Sequence, residues 1–461
     1  MADFLATLPV FLICSFVAAW CIRSSAGEDR SLLWLSFVAH QAAAIANVLI
    51  TQYHYEVGDM LTYHRFGVMA SERLRENFFD VAPSLVDLII QRPGPIAIPI
   101  ETLTGSSGSL EGVSAFAMFF LNDSLFATCS LIAGFAFLSK LALYSVARAE
   151  LPDVSRRAVL CACMLVPSAI FWSCALLKEP IAMIGVLGIT YACRMLVTRA
   201  HRFWALTLIA VATPLVIFTK GYLLPVLAMA AGTWYLLRAL RTRRGEIAIK
   251  LGHVLLACAV VVTVIMLTGV LLPRFSVDAL DSELARLQIV GATLTAGTNY
   301  DLGASAGNAA SQMAIAPLGL LTALFRPLLF EVTTPLVLVS ALEMSFFLVW
   351  AAMVPFRTGM FRVISEFLER PFLAFCVTFV IIFGTGAGLG STNLGTLSRY
   401  RMPLMPFFAI ALATLLTRRS APRPLLARTA PTQARPRPSR QFSTLTPSST
   451  QSTSEENASS F

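Results

Sequence analysis

Residues 371–389 read Pro-Phe-Leu-Ala-Phe-Cys-Val-Thr-Phe-Val-Ile-Ile-Phe-Gly-Thr-Gly-Ala-Gly-Leu and contain no charged side chain. About 20 apolar residues are enough for a helix to cross the hydrocarbon core of a bilayer. Similar runs recur along the chain, near 3–22, 32–51, 120–147, 158–177, 181–197, 203–219, 222–237, 251–272, 332–354 and 403–417. The sequence therefore predicts an all-α, polytopic transmembrane helical bundle of about eleven spans, with ten and twelve as alternatives.

The composition of the whole chain agrees with this prediction. Of its 461 residues, 56% are hydrophobic and only 13% are charged, and the mean hydropathy is +0.72. Soluble domains carry about 25% charged residues. The net charge of +9 does not indicate a nucleic-acid partner, because the basic residues lie in short segments between apolar runs. The nine cysteines have no metal-site spacing and are interpreted as small buried apolar residues.

The distribution of arginine and lysine predicts the orientation of the bundle. Most basic residues fall in one set of connecting segments, such as 148–157, 194–202 and 238–250. Because short cytoplasmic loops are enriched in such residues, that side is predicted to be cytoplasmic. The transmembrane domain then covers residues 1–417, with large outer loops at 52–119 and 273–331 and a compact one at 390–402. Residues 418–461, rich in Pro, Arg, Ser and Thr, are predicted to be a disordered cytoplasmic tail.

Within the outer loops, three segments have the pattern of helices that do not span. Residues 64–78 place Phe66, Met69, Ala70, Leu74 and Phe78 at helical spacing with charge on the other face, which predicts an amphipathic helix on the outer membrane surface. The apolar run 113–121 is interpreted as a second surface helix. Residues 313–325 are too short to span and predict a re-entrant or surface-lying helix.

The first candidate site is the stretch Gly58-Asp59-Met60-Leu61-Thr62-Tyr63-His64-Arg65, which follows the second apolar run. With Tyr53, His54 and Tyr55 just before it, this stretch brings together a carboxylate, two imidazoles and three tyrosines just outside the predicted bilayer. A transferase needs one carboxylate to accept the proton of the acceptor hydroxyl, so Asp59 is the predicted catalytic base. The alternative is an interfacial aromatic belt with incidental charges.

This stretch resembles the first outer loop of the GT-C superfamily of polytopic glycosyltransferases. A span leads into an outward loop with Gly-Asp-x-x-x-Tyr-His, and a surface helix follows. The resemblance implies a polyprenyl-phosphate sugar donor, with Asp59 as the base and His64 as a candidate contact to the donor phosphate. Tyr63 is a further predicted substrate-binding residue. In that superfamily the loop follows the first span, whereas here it follows the second.

A second constellation is Arg326-Pro327-Leu328-Leu329-Phe330-Glu331, at the end of the predicted re-entrant segment. A guanidinium group matches phosphate geometry in a bidentate manner, so Arg326 and Glu331 are predicted substrate-binding residues. The alternative is that the two residues pair with each other as an interfacial anchor.

A third constellation lies in the compact outer loop, where Arg399-Tyr400-Arg401-Met402-Pro403 precedes the last apolar run. Arg399 and Arg401 break the cytoplasmic bias of basic residues, and a lipid-linked (di)phosphate would offset their charge. This ending is similar to that of Wzy-type exopolysaccharide polymerases, which implies undecaprenyl-diphosphate glycans as substrates. The alternative role for both arginines is a headgroup anchor.

Lys178 is a further predicted substrate contact, although a self-neutralising pair with Glu179 is the alternative. Lys220 is interpreted as part of a plain hairpin. The sequence has no phosphate-binding loop, dinucleotide fingerprint or metalloprotease motif, so no cofactor is predicted. A divalent metal beside Asp59 stays an open alternative without a visible ligand set.

The leading hypothesis is glycosyl transfer in cell-surface polysaccharide assembly, by a Wzy-type polymerase or a GT-C transferase. Its partners would be a polyprenyl-linked donor and acceptor, the bilayer and other polysaccharide-assembly proteins, in a bacterial inner membrane. The rival hypothesis is a transporter or flippase for lipid-linked glycans. Transporters favour ionisable residues within spans and broken helices, and the sequence shows few of the former (Lys140, Arg194 and Glu343). A non-catalytic scaffold is the third hypothesis.

Overall fold

The computed structural model describes residues 2–92, 103–199, 201–242, 247–271 and 309–417. Regular secondary structure in these ranges is helical throughout, which confirms the all-α prediction. The predicted tail at 418–461 and most of the 273–331 loop lie outside the described residues. The helices are α1 Ala2–Arg23, α2 Gly27–Ile50, α3 Asp59–Glu76, α4 Phe78–Ile89, α5 Ser106–Phe120, α6 Leu125–Glu150, α7 Arg156–Met164, α8 Pro167–Trp172, α9 Lys178–Val197, α10 Arg202–Lys220, α11 Leu223–Thr242, α12 Ile247–Leu271, α13 Ala309–Phe325, α14 Pro335–Thr358, α15 Met360–Glu369, α16 Pro371–Leu389, α17 Leu394–Tyr400 and α18 Met405–Leu416.

Eight helices in the described ranges are long and apolar enough to cross a membrane. They are α1, α2, α6, α9, α10, α11, α14 and α16. The predicted total of about eleven remains a prediction, because the apolar parts of α12, α13 and α18 are shorter than a full span. The predicted continuous span at 158–177 is wrong: this run is divided into α7, of 9 residues, and α8, of 6 residues. The break precedes Pro167, whose ring leaves it without an N–H for the helical ladder.

The most enclosed of the spans is α16, the stretch quoted at the outset. Its phenylalanines at 372, 375, 379 and 383 follow a spacing of three and four residues, so they share one face of the helix. Trp234 of α11 packs 5.0 Å from the Phe372 ring, and Phe407 of α18 packs 4.8 Å from the Phe379 ring, centroid to centroid. The buried aromatic rings fix α11, α16 and α18 against one another.

Helices α13 and α16 approach each other through glycine. A Cβ added at Gly388 would collide with the backbone carbonyl of Gly319. Small residues at a helix crossing let two backbones come together where no hydrophobic effect drives association. The absence of a side chain at Gly388 is therefore a condition for this packing.

Helices α3, α4 and α5 form a smaller layer with its own apolar cluster. The amphipathic helix predicted from residue 64 is confirmed as part of α3. Phe66, Ala70 and Leu74 are buried, whereas Met69 and Phe78 of the predicted apolar face are exposed. The run 113–121 is helical within α5. That these helices lie on the outer membrane surface stays a prediction.

The two ends of the bundle differ in their charged contacts. At one end, which we call the arginine end, three carboxylates pair with arginines: Asp29 with Arg156 at 2.7 Å, Glu150 with Arg238 at 2.9 Å and Asp153 with Arg370 at 2.6 Å. At the other end, α2 finishes and α3 begins at Asp59. We call this the Asp59 end.

The crossing of α13 and α16 gives a direct test of the packing. We expect Gly388→Ala to lower the stability of the purified protein by about 1–3 kcal/mol, because the new methyl group overpacks against a backbone carbonyl. The control is Gly386→Ala, since nothing lies within 4 Å of a Cβ at that position. Thermal unfolding in detergent measures both variants. Equal melting temperatures would contradict the close approach.

Candidate functional site

Asp59 begins α3 at the point where the chain turns out of α2. Gly58, immediately before it, has a φ of +142°, a backbone conformation that residues with a Cβ rarely adopt. The Asp59 carboxylate lies in the first turn of α3, where the helix dipole favours negative charge. Its side chain is 45% exposed, so it remains accessible to a solute.

Arg399, near the end of α17, joins two carboxylates. Its Nη1 lies 2.9 Å from Asp59 Oδ2, and its Nε lies 3.3 Å from Glu179 Oε1. The helix that carries it is capped by Asn393, whose Oδ1 accepts hydrogen bonds from the Gly395 and Thr396 amides. Burial alone would lower the pKa of Arg399, but the charges of Glu179 and Asp59 outweigh it and raise that pKa. Arg399 is therefore a fixed positive charge.

Glu179 is the most enclosed member of this group. Its side chain is 1% exposed, and Oε1 lies 3.1 Å from the ammonium of Lys220 in addition to the Arg399 contact. It lies in the first turn of α9, and Lys220 is the last residue of α10. The negative charge of Glu179 thus lies at the positive end of the α9 dipole, and the positive charge of Lys220 lies at the negative end of the α10 dipole.

Tyr400 covers Lys220 from the other side. The Lys220 Nζ lies 3.9 Å from the centroid of the Tyr400 ring, within the range of a cation–π interaction. The Tyr222 ring lies further from this ammonium, at 5.9 Å. Burial raises the pKa of the Tyr222 hydroxyl, so this neighbour of Lys220 is uncharged.

Tyr63 and Lys178 meet at Ser107, beside the ion pairs. The Lys178 ammonium donates a hydrogen bond to Ser107 Oγ at 3.0 Å, and the Tyr63 side chain lies close to this hydroxyl. Burial, followed by the nearby Asp59 carboxylate, raises the pKa of Tyr63 above its usual range. We call Asp59, Tyr63, Lys178, Glu179, Lys220, Arg399 and Tyr400 the Asp59 cluster. Its two carboxylates are outnumbered by its three cations.

A cavity of about 150 Å³ adjoins the Asp59 cluster. Asp59 and Arg399 form its charged wall. Asn47, Tyr55, Phe171 and Trp172 line other parts of it. A carboxylate and a guanidinium thus face one partly aromatic space, which suits a ligand with both an anionic group and a ring of hydroxyl groups.

The short helix α8, which brings Phe171 and Trp172 to this cavity, is held at both ends. At its start, Glu343 of α14 accepts hydrogen bonds from the Ser168 amide at 3.1 Å and from the Ser168 hydroxyl at 3.0 Å. One residue further along, Lys140 Nζ donates to the Ala169 carbonyl at 2.7 Å. Lys140 also donates to Ser173 Oγ at 3.0 Å and contacts His40 Nε2 at 2.9 Å.

Other predicted site residues lie elsewhere. His64 directs its Nε2 to the Asp123 carbonyl at 3.1 Å, away from the cavity. Arg326 and Glu331 pair with each other, with 2.8 Å between Nε and Oε1, as the alternative interpretation held. Burial alone would raise the pKa of Glu331, but the hydrogen bonds from Arg326 and from the Leu328 amide, together with the Arg326 charge, outweigh burial and lower that pKa.

Arg401 is buried and contacts protein groups. Its guanidinium donates to Ser340 Oγ at 2.8 Å and to the carbonyls of Ala323 and Arg326. The carbonyls at the end of α13 have no intrahelical partner, so Arg401 stabilises that helix end. The structure thus separates Arg401 from Arg399, which the sequence analysis had grouped.

Three members of the cluster received no role from the sequence: Glu179, Lys220 and Tyr400. Glu179 does not form the expected self-neutralising pair with Lys178, because it contacts Lys220 and Arg399 while Lys178 bonds to Ser107. Successive residues on a helix do not face each other, and that rule is the signal that could have identified separate partners. Among the described residues, no group of three His, Cys, Asp or Glu side chains forms a metal site.

The buried ion pairs of Glu179 can be tested by removing its charge. We expect Glu179→Gln to cost about 3–5 kcal/mol of stability, because two enclosed cations lose their carboxylate. The control is Glu76→Gln, which breaks the exposed 2.9 Å pair with Arg73 and should change little. Chemical or thermal unfolding in detergent measures both. A Glu179→Gln protein as stable as the control would show that these pairs do not hold the cluster.

Comparisons with protein-family models, with curated proteins and with solved structures find no match to this chain.

Proposed function

We propose that this membrane protein transfers a glycosyl unit from a polyprenyl-(di)phosphate donor to an acceptor hydroxyl, at the Asp59 end of the bundle. The observation that carries the proposal is the position of the Asp59 carboxylate and the Arg399 guanidinium, 2.9 Å apart on the wall of one cavity. By the distribution of arginines, this end faces outward.

The unequal exposure of the two carboxylates supports a role for Arg399 in phosphate binding. A donor phosphate has to compete with a carboxylate for the guanidinium. Glu179, at 1% exposure, is held by Lys220 as well, whereas Asp59 is 45% exposed. Asp59 is thus the partner that a phosphate displaces, and Glu179 keeps the guanidinium oriented. Displacement leaves the Asp59 carboxylate free to act on the acceptor.

The reaction then follows from these positions. The acceptor oxygen forms a bond to the anomeric carbon of the donor sugar, and the bond from that carbon to the phosphate oxygen breaks. The acceptor proton passes to the Asp59 carboxylate. The negative charge that develops on the leaving (di)phosphate is stabilised by Arg399, with Lys178 close by and Lys220 enclosed behind Tyr400. The excess of cations in the Asp59 cluster suits an anionic leaving group.

Two enzyme types fit this scheme, a single-sugar transferase and a Wzy-type polymerase of lipid-linked repeat units. The cavity of about 150 Å³ is smaller than the roughly 300 Å³ at which pockets for whole small molecules begin. It therefore receives only part of the donor at the reacting bond, while the lipid and any further sugars stay outside. On either version the protein acts in surface-polysaccharide assembly in a bacterial inner membrane, with its C-terminus in the cytoplasm.

Transport or flipping of a lipid-linked glycan is the second candidate function. Two features favour this function. The helix is broken between α7 and α8, and the ionisable residues Glu343 and Lys140 hold α8 inside the bundle. Discontinuous helices with ionisable neighbours are typical of transporter binding sites. Glu343 and Lys140 are equally explained if they stabilise α8 as a wall of the Asp59 cavity. Glycosyl transfer therefore remains the first candidate function.

The test replaces the protein in its own cells by Asp59→Asn and measures surface polysaccharide and lipid-linked intermediates. We expect product formation to fall at least about 100-fold, because a general base is lost while the side chain keeps its shape. Glu72→Gln is the control, since this carboxylate is exposed on the same helix. Protein levels in the membrane are compared for both.

The identity of the accumulating intermediate separates the versions. Complete lipid-linked repeat units on the outer face indicate the polymerase, and an incomplete glycan indicates the single-sugar transferase. Accumulation of intermediates confined to the inner face would favour the flippase. Normal polysaccharide in Asp59→Asn cells would contradict the enzyme proposal and favour a scaffold.

A further inference from the structure

A second, larger cavity lies at the arginine end, far from the Asp59 cluster. Its volume is about 700 Å³, and it is enclosed by the end of α14, by α15 and by the last residues of α18. The side chains that line it include Arg357, Thr358, Arg362, Glu366 and Arg370, together with residues 414–417. The volume is within the range of about 300–1,000 Å³ that small-molecule sites occupy.

The positive charges of this cavity are only partly balanced. Arg370 is committed to Asp153 at 2.6 Å and to Glu366. Arg362 is 3.7 Å from Glu366, and 59% of its side chain is exposed. Arg357 is exposed and forms no ion pair within the described part of the chain. Arg357 thus has no ion pair among the described residues, and Arg362 keeps only a long contact to Glu366, with which an anion would compete.

The helix beside the cavity has a strongly apolar outer face. Phe361 is 92% exposed and Phe356, at the end of α14, is 89% exposed, while Ile364 and Leu368 continue the same surface. Glu366, on the other side of α15, is buried. Since α14 and α16 are both candidate spans, the helix between their ends lies at the level of the membrane surface. Phe356 and Phe361 are then placed against acyl chains.

We propose that this cavity binds the phosphate headgroup of an anionic phospholipid. Arg357 and Arg362 contact the phosphate, for which guanidinium geometry is suited, and the apolar face of α15 contacts the acyl chains. The orientation predicted by the arginines places this end in the cytoplasmic leaflet, where anionic lipids attract basic pockets between helices. The site is independent of the proposed glycosyl transfer.

The test uses purified full-length protein in detergent and titrates phosphatidylglycerol, phosphatidylcholine or sodium phosphate at matched ionic strength. We expect phosphatidylglycerol to raise the melting temperature saturably and the other two to have little effect. Arg357→Gln/Arg362→Gln should weaken the apparent affinity for phosphatidylglycerol on the order of tenfold. The matched control is Arg65→Gln/Arg92→Gln, which removes two exposed arginines elsewhere and should bind as the unaltered protein does.

Three results would overturn the assignment. Equal weakening in both double variants would show that net charge alone governs binding. Equal stabilisation by phosphatidylcholine would show that the site does not select an anionic lipid. Saturable stabilisation by sodium phosphate would show that the ligand is a soluble phosphate instead of a lipid. If the double variant does not fold, Arg357→Gln alone carries the test, because that side chain has no ion pair in the described residues to lose. Its unchanged affinity would also overturn the assignment.

Discussion

The Glu179 carboxylate has almost no contact with water, and the Asp59 end of the bundle is assembled around it. It lies at the start of α9, pairs with the last residue of α10, and reaches Arg399 of α17. Arg399 in turn pairs with Asp59 of α3. Taking a charge out of water costs several kcal/mol, so the enclosed carboxylate requires both cations in place. This requirement brings together four segments that are distant in sequence.

The same contacts give the two carboxylates different properties. Glu179 is enclosed and has two cationic partners, so it orients Arg399 permanently. Asp59 is half exposed, has one cationic partner and faces the cavity. If a phosphate enters this site, it can replace Asp59 at Arg399 while Glu179 keeps Arg399 in position. The Asp59 carboxylate would then be free to act as a base. Arg401, two residues after Arg399, has the separate task of stabilising the end of α13.

The sequence predicted what depends on local pattern. Runs such as 371–389 became helices of spanning length because about 20 apolar residues have few alternatives in lipid. Asp59 and Arg399 were identified because charges beside apolar runs are conspicuous, and the structure pairs them. Pro167 was a local signal for the break, but the half-helix that it begins is stabilised by Glu343, a residue 175 positions from Ser168. Lys220 and Glu179 were missed because each has its partner on another helix. Arg326 and Glu331 are close in sequence, and their mutual pairing had been considered.

Helix α8 has a thermodynamic consequence for any ligand of the Asp59 cavity. A helix of 6 residues has no stability of its own in isolation. Here Glu343 holds its first turn, Lys140 donates to the Ala169 carbonyl and to Ser173 just past its end, and the Asn47 amide donates to the Phe171 carbonyl at 2.7 Å. The conformational entropy of α8 is therefore lost when the chain folds and not when a ligand binds. A ligand that stacks on Trp172 meets a surface already in its bound geometry, and more of the contact energy remains for affinity.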